Sequence, residues 1–530
     1  MSKFTTKSAQ VAVDPIIETI VNEDKVPWYS KPNLRWLYFM LFPTCMGVEL
    51  TSGFDSQLIN ALQIVESWKD YFDDPVGHWK GFISASYSLG ALISLPLVPW
   101  CNNKFGRRWS IFIGSCIMIA GAIIQGASQH VGMYIVARIM LGFGIPVCIV
   151  AGSALIGELA YPKERPILTS LFNVSYFVGQ IMAAGICYGT NRIAGNAGWR
   201  VPSYLQILPS LLQVSLCLFL PESPRWLVSK DRIEEANAIL VKYHAEGNVN
   251  SEFVKAEMTQ ITETIKIEYE ASKETWFDLL RSAGMRRRAL ITAMLGLFTQ
   301  WSGNTLISYY LGDLLTMIGY TNSQTKQTIN LVSACWSLVM AFTVAMLVRT
   351  FRRRVMYMTC VCALLCVYIA WTISMERAVT AQENGGKNSA AGWATLIFIF
   401  LYAPCYNIGF NALTYTYMVE LWPYALRSRG ISFFQVFGRF AGFFTTFVNP
   451  IGLNAVSWRY LISYCCWLAF EVVFVYFMFP ETSGLSLEEL AFIFESKDVA
   501  DQVTAKVEKT IHHEDAEVQR VGDAPVERKV

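Results

Sequence analysis

A chain of 530 residues that is 53% hydrophobic and only 16% charged, with a mean hydropathy of +0.34, lacks the composition of a soluble protein. Soluble domains carry about 25% charged residues, so the deficit points to lipid as the solvent. A net charge of +2, with basic residues dispersed through loops, excludes a nucleic-acid-binding surface. The thirteen cysteines sit mostly in apolar runs, Cys116, Cys148, Cys187 and Cys360 among them, and read as small packing residues rather than disulfides or metal ligands.

In chain order, residues 1–35 are polar and contain no apolar h-region, so a cytoplasmic N-terminal segment without a cleavable signal is expected. Apolar runs of about 19 to 26 residues, long enough to cross a hydrocarbon core as helix, follow near 36–62, 80–100, 110–128, 132–157, 167–190 and 201–220. Residues 221–287 are charged, with helical periodicity in 232–244, and read as amphipathic linker helices. A second set of six spans falls near 289–317, 327–348, 355–375, 393–418, 430–452 and 458–479. The expected organisation is an N-terminal bundle over 36–220, a linker over 221–287, a C-terminal bundle over 288–479 and a cytoplasmic tail over 480–530.

One set of connections carries Lys104, Arg107, Arg108, Lys163, Arg165, Arg349, Arg352, Arg353, Arg354, Arg427 and Arg429, and the other only Lys69, Arg192, Lys326, Arg377 and Lys387. The first set is expected on the cytoplasmic side, with both termini. The halves also repeat motifs. Glu158-x6-Arg165 returns as Glu420-x6-Arg427, Arg107-Arg108 as Arg353-Arg354, Trp199-Arg200 as Trp458-Arg459, and Pro221-Glu222-Ser223 as Pro480-Glu481-Thr482. Such doubling is the mark of a membrane fold built from two related halves.

Ionisable groups inside apolar spans cost at least about 2.5–3.5 kcal/mol each and are functional candidates. In the first half these are Glu49, Asp55 and Arg138. An Asp–Arg pair offsets mutual desolvation, and protonating the carboxylate releases the arginine. A proton switch and a static buried salt bridge both satisfy that pattern. The Glu-x6-Arg units beside Arg107-Arg108 and Arg353-Arg354 read as ion-pair latches of an inner gate, with ordinary loop charge and counter-ions as the alternative. Gln180, then Gln300, Ser302, Asn304, Thr305, Tyr309 and Tyr310, cluster amides, hydroxyls and aromatic rings as a neutral polyhydroxylated ligand requires.

Over about residues 35–495 the chain resembles the sugar porter family of the major facilitator superfamily. The resemblance rests on Gly53-Phe-Asp55, Asn103-Lys-Phe-Gly-Arg-Arg108, Ala137-Arg138, the two Glu-x6-Arg units, Pro221-Glu-Ser-Pro-Arg-Trp226 and Pro480-Glu-Thr-Ser-Gly-Leu-Ser-Leu-Glu-Glu489. Gln300-Trp-Ser-Gly-Asn304 followed by Ser308-Tyr-Tyr-Leu311 resembles the fungal lactose permease and cellodextrin transporter branch. The resemblance implies an all-α membrane protein of the major facilitator fold, with 12 transmembrane helices in two six-helix halves and a cytoplasmic helical linker. It implies Asp55 as the proton-coupling carboxylate with Arg138 as its partner, and Gln180 and Gln300 as sugar-binding amides. Tyr415 falls where many relatives carry a sugar-stacking Trp. The departures are Thr299 and Thr305 in place of Gln and Asn, Asn103 in place of Asp, and the crowded Arg349-Thr-Phe-Arg-Arg-Arg354 loop, which lacks its acidic partner.

The function expected is a plasma-membrane, proton-coupled symporter importing a disaccharide, with no enzymatic activity, cofactor or metal. Its partners are the sugar, the proton and the bilayer. Two alternatives stand beside it: a transporter-like sensor with signalling partners at the cytoplasmic face, and a symporter for a hexose or polyol.

Overall fold

The computed structural model describes residues 26–271, 276–347, 351–386, 388–422 and 424–482. Among them run twelve membrane spans, all helical. Span 1 is a continuous coil of Pro32–Leu41, the wide-turned Phe42–Met46 and Gly47–Leu62; Pro43, which cannot donate a backbone hydrogen bond, lies in the wide turn. Span 2 is Gly77–Ser94, extended past Leu97. The helix Leu97–Gly126 breaks at Gly106 (φ 87°), and span 3 is the part beyond it. Span 4 is Val131–Leu159, span 5 Arg165–Thr190, and span 6 the pair Ala197–Leu205 and Ile207–Cys217.

Span 7 comprises Ala283–Trp301 and Asn304–Met317, where the hydropathy pattern predicts one unbroken helix. Spans 8 to 12 are Ser323–Leu347, Arg353–Glu383, the run Ser389–Tyr406 through Ala412–Leu421, Tyr424–Val456 and Tyr460–Met478. Spans 9 and 11 exceed their predicted lengths because helix continues beyond the apolar stretch into polar ends. Seven helical stretches, covering spans 3–5 and 8–12, are long and apolar enough to cross a bilayer; spans 1, 2, 6 and 7 are interrupted.

Small residues set how closely spans approach, since helix association in lipid relies on packing rather than on hydrophobic exclusion. A Cβ on Gly53 would lie 1.9 Å from the Tyr176 carbonyl oxygen, and one on Gly179 would lie 2.1 Å from that of Leu50. Spans 1 and 5 therefore touch backbone to backbone, which fixes where Asp55 faces.

Linker helices Pro224–Val228, Ile233–His244 and Glu252–Ala271 pack on one end of the first half, where Leu227, Leu240, Tyr243, Phe253 and Ile261 share a core with Leu34, Leu37 and Leu159. This is the linker end, and it carries the arginine-rich connections. At the opposite, far end the halves are clasped. Lys80 Nζ lies 2.6 Å from Asp313 Oδ1; Gln57 and Asn60 donate to Asn330 Oδ1 at 2.7 and 2.9 Å; Gln327 donates to the Ala61 carbonyl at 2.8 Å. Ser323 donates to the Ile64 carbonyl at 2.9 Å, and Asn191 to Gln324 at 3.0 Å. The predicted tail from residue 483, Arg349 and residues 1–25 lie outside the described residues.

Candidate functional site

Arg138, on span 4, donates from Nη1 to Asp55 Oδ1 on span 1 at 2.8 Å, with the two side chains 0% and 4% exposed. The guanidinium also lies over the Tyr87 ring, 5.1 Å from its centroid. The pair is buried, so each charge depends on the other to offset its desolvation. A cavity of about 10 Å³, the dimension of about one water, adjoins Asp55 and is bounded by Thr51, Tyr87, Gln206 and Ser210. Adding a proton to Asp55 leaves the Arg138 charge unbalanced, so the pair is chemically capable of acting as a two-state element.

The span 7 break shapes the polar segment that follows it. Gly303 has φ 100°, a left-handed conformation that a Cβ disfavours, and a Cβ there would also lie 1.6 Å from the Tyr368 hydroxyl. Gln300, just before the break, points its Oε1 toward Gly442 on span 11, and the Trp301 indole donates to the Ala441 carbonyl at 3.1 Å. Asn304 Oδ1 accepts from Ser308 at 3.3 Å, and Tyr309 packs against the first half's cluster around Phe54.

The sequence places seven substrate-facing residues together, and the structure divides them. Gln180 stands beside Tyr176 on span 5 (3.5 Å), and Tyr176 donates to Ser56 on span 1 at 3.1 Å. Tyr415 is 56% exposed and accepts from Gln435 at 2.7 Å. Gln180, Gln300, Asn304, Tyr309 and Tyr415 thus lie on spans 5, 7 and 10, each with its own set of neighbours. Tyr310 is fully buried, donating to the Thr446 carbonyl at 2.5 Å, and Thr305 is buried against Asn449; both turn into the second half's interior.

Several polar groups near the site are absent from the sequence reading. Asn330, which receives Gln57 and Asn60, lies in an apolar stretch where a lone amide carries little signal. Asp313, Arg439 and Glu471 do carry a signal. They are ionisable groups in second-half spans, and the rule that selects Asp55 selects them equally.

At the linker end the sequence repeat becomes a geometric repeat. Glu158 receives Arg107 Nη2 at 3.2 Å and the Ser223 hydroxyl, while Glu420 receives Arg353 Nε at 3.4 Å and the Thr482 hydroxyl at 2.5 Å. Glu222 accepts the backbone N–H groups of Arg107 and Arg108 (2.9 and 3.2 Å), and Glu481 accepts those of Arg353 and Arg354 (3.0 and 3.2 Å). Each carboxylate stands at the N-terminus of span 3 or span 9, where the helix dipole favours it. These ion pairs stay within one half. Arg108 and Arg354 donate to the carbonyls of Leu218 (2.6 Å) and Tyr476 (2.5 Å). The loop that lacks its expected acid is instead supplied by Glu481.

Arg165, at the start of span 5, lies 3.8 Å from Glu257 of the linker, and Arg427 lies in the first turn of span 11. Glu257 also meets His244 Nδ1 at 2.7 Å, and His244 Nε2 meets the Leu159 carbonyl at 3.2 Å. Both ring nitrogens face acceptors, so the imidazolium satisfies both. Burial alone lowers the His244 pKa, but the Glu257 charge and hydrogen bond outweigh it and raise it above the usual 6.5. Burial likewise pushes Glu257 up, and His244 more than reverses this, leaving it below 4.5.

Two six-span halves, clasped at one end around a polar centre, define a carrier of the major facilitator type. Residues 40–494 match the model described as "Sugar (and other) transporter", and the chain belongs to that family. A high-affinity glucose transporter of Kluyveromyces lactis is 28% identical over 87% of this chain and 86% of its own length. The MFS-type transporter oryC of Aspergillus oryzae is 26% identical over 96% and 95%. Among solved structures, the inward open conformation of the xylose transporter XylE from E. coli superposes with a TM-score of 0.71 at 22% identity, covering 87% of this chain and 100% of that one. These relatives are transporters rather than enzymes.

Proposed function

We propose that the chain is a proton-coupled sugar symporter of the plasma membrane that imports a disaccharide by alternating access. The linker end and both termini face the cytoplasm. The observation that carries the coupling is the wholly buried Asp55–Arg138 pair between spans 1 and 4. In this reading, sugar is held by Gln180, Gln300, Asn304 and Tyr309 at the centre, with Tyr415 stacking from span 10. Tyr310 and Thr305 brace the broken span behind them. Protonated Asp55 no longer balances Arg138, the arginine is left with the ring of Tyr87 alone, and the contact between spans 1 and 4 loosens. The halves then rock about the centre. With the far-end bonds between the halves made, the conformation described here corresponds to the inward-facing state.

The pairs Arg107–Glu158 and Arg353–Glu420 hold each half's inner connections rigid, and Arg165 and Arg427 act with them as the gate when the inner face closes. The disaccharide reading is supported by Gln300-Trp-Ser-Gly-Asn304 and Ser308-Tyr-Tyr-Leu311. A second reading, symport of a hexose, is favoured by relatives named as glucose transporters.

The test is uptake of labelled lactose, cellobiose and glucose in cells lacking their own sugar carriers, with and without a protonophore and in Asp55→Asn. Disaccharide accumulation abolished by both treatments supports the proposal. Accumulation against a gradient by Asp55→Asn sinks the proton role, and uptake of glucose alone selects the hexose reading.

A further inference from the structure

A cleft of about 440 Å³ lies between the linker and the first half, apart from the sugar and proton residues. Span 3 contributes Arg108 and Trp109 at its start, and the linker contributes Trp226, Arg232, Glu235 and Lys242. Arg232, Glu235, Ile239 and Lys242 recur every three or four residues, so one face of helix Ile233–His244 fronts the cleft. The apolar part of the lining, Pro221, Leu227 and Ile239 with the two indoles, adjoins an edge where Trp109, Leu218 and Phe219 are 45, 45 and 68% exposed. Large apolar side chains left open at the ends of membrane spans meet lipid, and Trp is favoured at that level.

The charges around the cleft do not balance. Arg232 is taken by Glu235, which accepts from its Nε and Nη2 at 2.7 and 2.5 Å. One oxygen of Glu222 accepts the backbone N–H groups of Arg107, Arg108 and Ser223, and the other lies against Gly106, where a Cβ would come within 2.5 Å. Arg108 and Lys242 remain, and among the described residues neither has a carboxylate within 4 Å. Lys242 Nζ sits over the Tyr243 ring at 5.1 Å; Arg108 sits over the Trp109 ring at 5.6 Å and gives an N–H to the Leu218 carbonyl. Ring faces hold a cation without neutralising it, so both side chains keep N–H donors for an anion.

We propose that this cleft binds the headgroup of an anionic phospholipid from the leaflet on the linker side, its phosphate between Arg108 and Lys242 and its acyl chains along Trp109 and Phe219. A soluble phosphate would satisfy the two cations and leave the apolar edge uncovered. An acidic peptide would bring further carboxylates to a lining that already carries Glu222 and Glu235. An amphiphile with one compact negative group meets both parts of the lining, and basic residues at a membrane surface attract such lipids. Arg108 belongs to span 3 and Lys242 to the linker. The headgroup therefore joins them and holds the linker docked, adding to the Arg165–Glu257 contact.

The test uses the purified full-length protein in a neutral detergent. Dioctanoyl-phosphatidylglycerol is titrated into wild type, Lys242→Gln, Lys242→Arg and Lys255→Gln, the last removing an exposed linker cation outside the cleft. Binding is read from the melting temperature and from hydrogen exchange across 226–243, with gel filtration to check folding. Wild type should bind saturably and exchange more slowly over that stretch. Lys242→Gln should bind about fivefold more weakly, the worth of one basic residue at an anionic membrane surface, while Lys242→Arg and Lys255→Gln bind as wild type does. Dioctanoyl-phosphatidylcholine, which lacks the net charge, and inorganic phosphate, which lacks the tails, should each bind at least about fivefold more weakly than the anionic lipid. Equal losses in Lys242→Gln and Lys255→Gln mark general surface charge and overturn the site. Phosphate or hexaglutamate binding as tightly as the lipid overturns the choice of a membrane lipid. Absence of saturable binding, or binding that leaves exchange across 226–243 unchanged, overturns the proposal whether or not the variants fold.

Discussion

Replacing Asp55 with Asn removes one charge from a pair that has almost no other support. The Arg138 side chain is 0% exposed, and its Nε and Nη2 have no hydrogen-bond partner in the protein. After the substitution the guanidinium keeps only the Tyr87 ring, at 5.1 Å, a contact worth about 2 kcal/mol when desolvated. Breaking a buried pair on one side costs about 3–5 kcal/mol, and so complete a burial places Asp55→Asn toward the upper end. Removing both charges, as in Asp55→Asn/Arg138→Met, leaves no uncompensated ion and should recover most of that loss. The assay is thermal unfolding of the purified protein in detergent, comparing wild type, the single and the double variant. Uptake measured in parallel should be uncoupled in both, which separates stability from transport. An Asp55→Asn protein that melts with wild type, or a double variant less stable than the single, would refute the reasoning.

Three further outcomes are expected. Lys80→Gln removes the inter-half ion pair with Asp313 and should speed hydrogen exchange at 57–64 and 313–330; exchanging the two residues, Lys80→Asp with Asp313→Lys, should restore protection, and unchanged exchange in Lys80→Gln counts against the clasp. Gly303→Ala meets both a left-handed backbone and the Tyr368 hydroxyl, so it should destabilise by at least about 1–3 kcal/mol; an unaltered melting curve would show that the break in span 7 needs no glycine. The docked linker should loosen as pH rises. His244, raised above 6.5, contributes its full stabilisation below the unfolded value and loses it as pH climbs through the folded one. Glu257, held below 4.5, contributes above its unfolded value and loses that share only as pH falls through the folded one. Docking is therefore firmest between those values. After correction for intrinsic rates, exchange across 233–271 should be faster at about pH 8 than at about pH 6, and His244→Gln should abolish the difference.

The twelve spans, their division into two halves and the linker between them are all legible in the sequence. Bilayer thickness dictates about twenty apolar residues per span, and a doubled motif survives as a doubled geometry, as Glu222 and Glu481 at equivalent helix starts illustrate. The Asp55–Arg138 contact follows from the same cost of burying charge, because two intramembrane ions of opposite sign need each other. Applied evenly, that rule also reaches Arg439, Asp313 and Glu471. The tertiary structure alone decided which way side chains point. Tyr309 and Tyr310 are adjacent, yet one packs on the opposite half and the other is buried in its own, because the helix resumes only after Gly303 and its phase depends on that break. Arg165 similarly meets Glu257, a linker residue whose distance in sequence conceals its proximity in space. Hydropathy records how much apolar surface each segment buries. Facing depends on how twelve helices pack against one another.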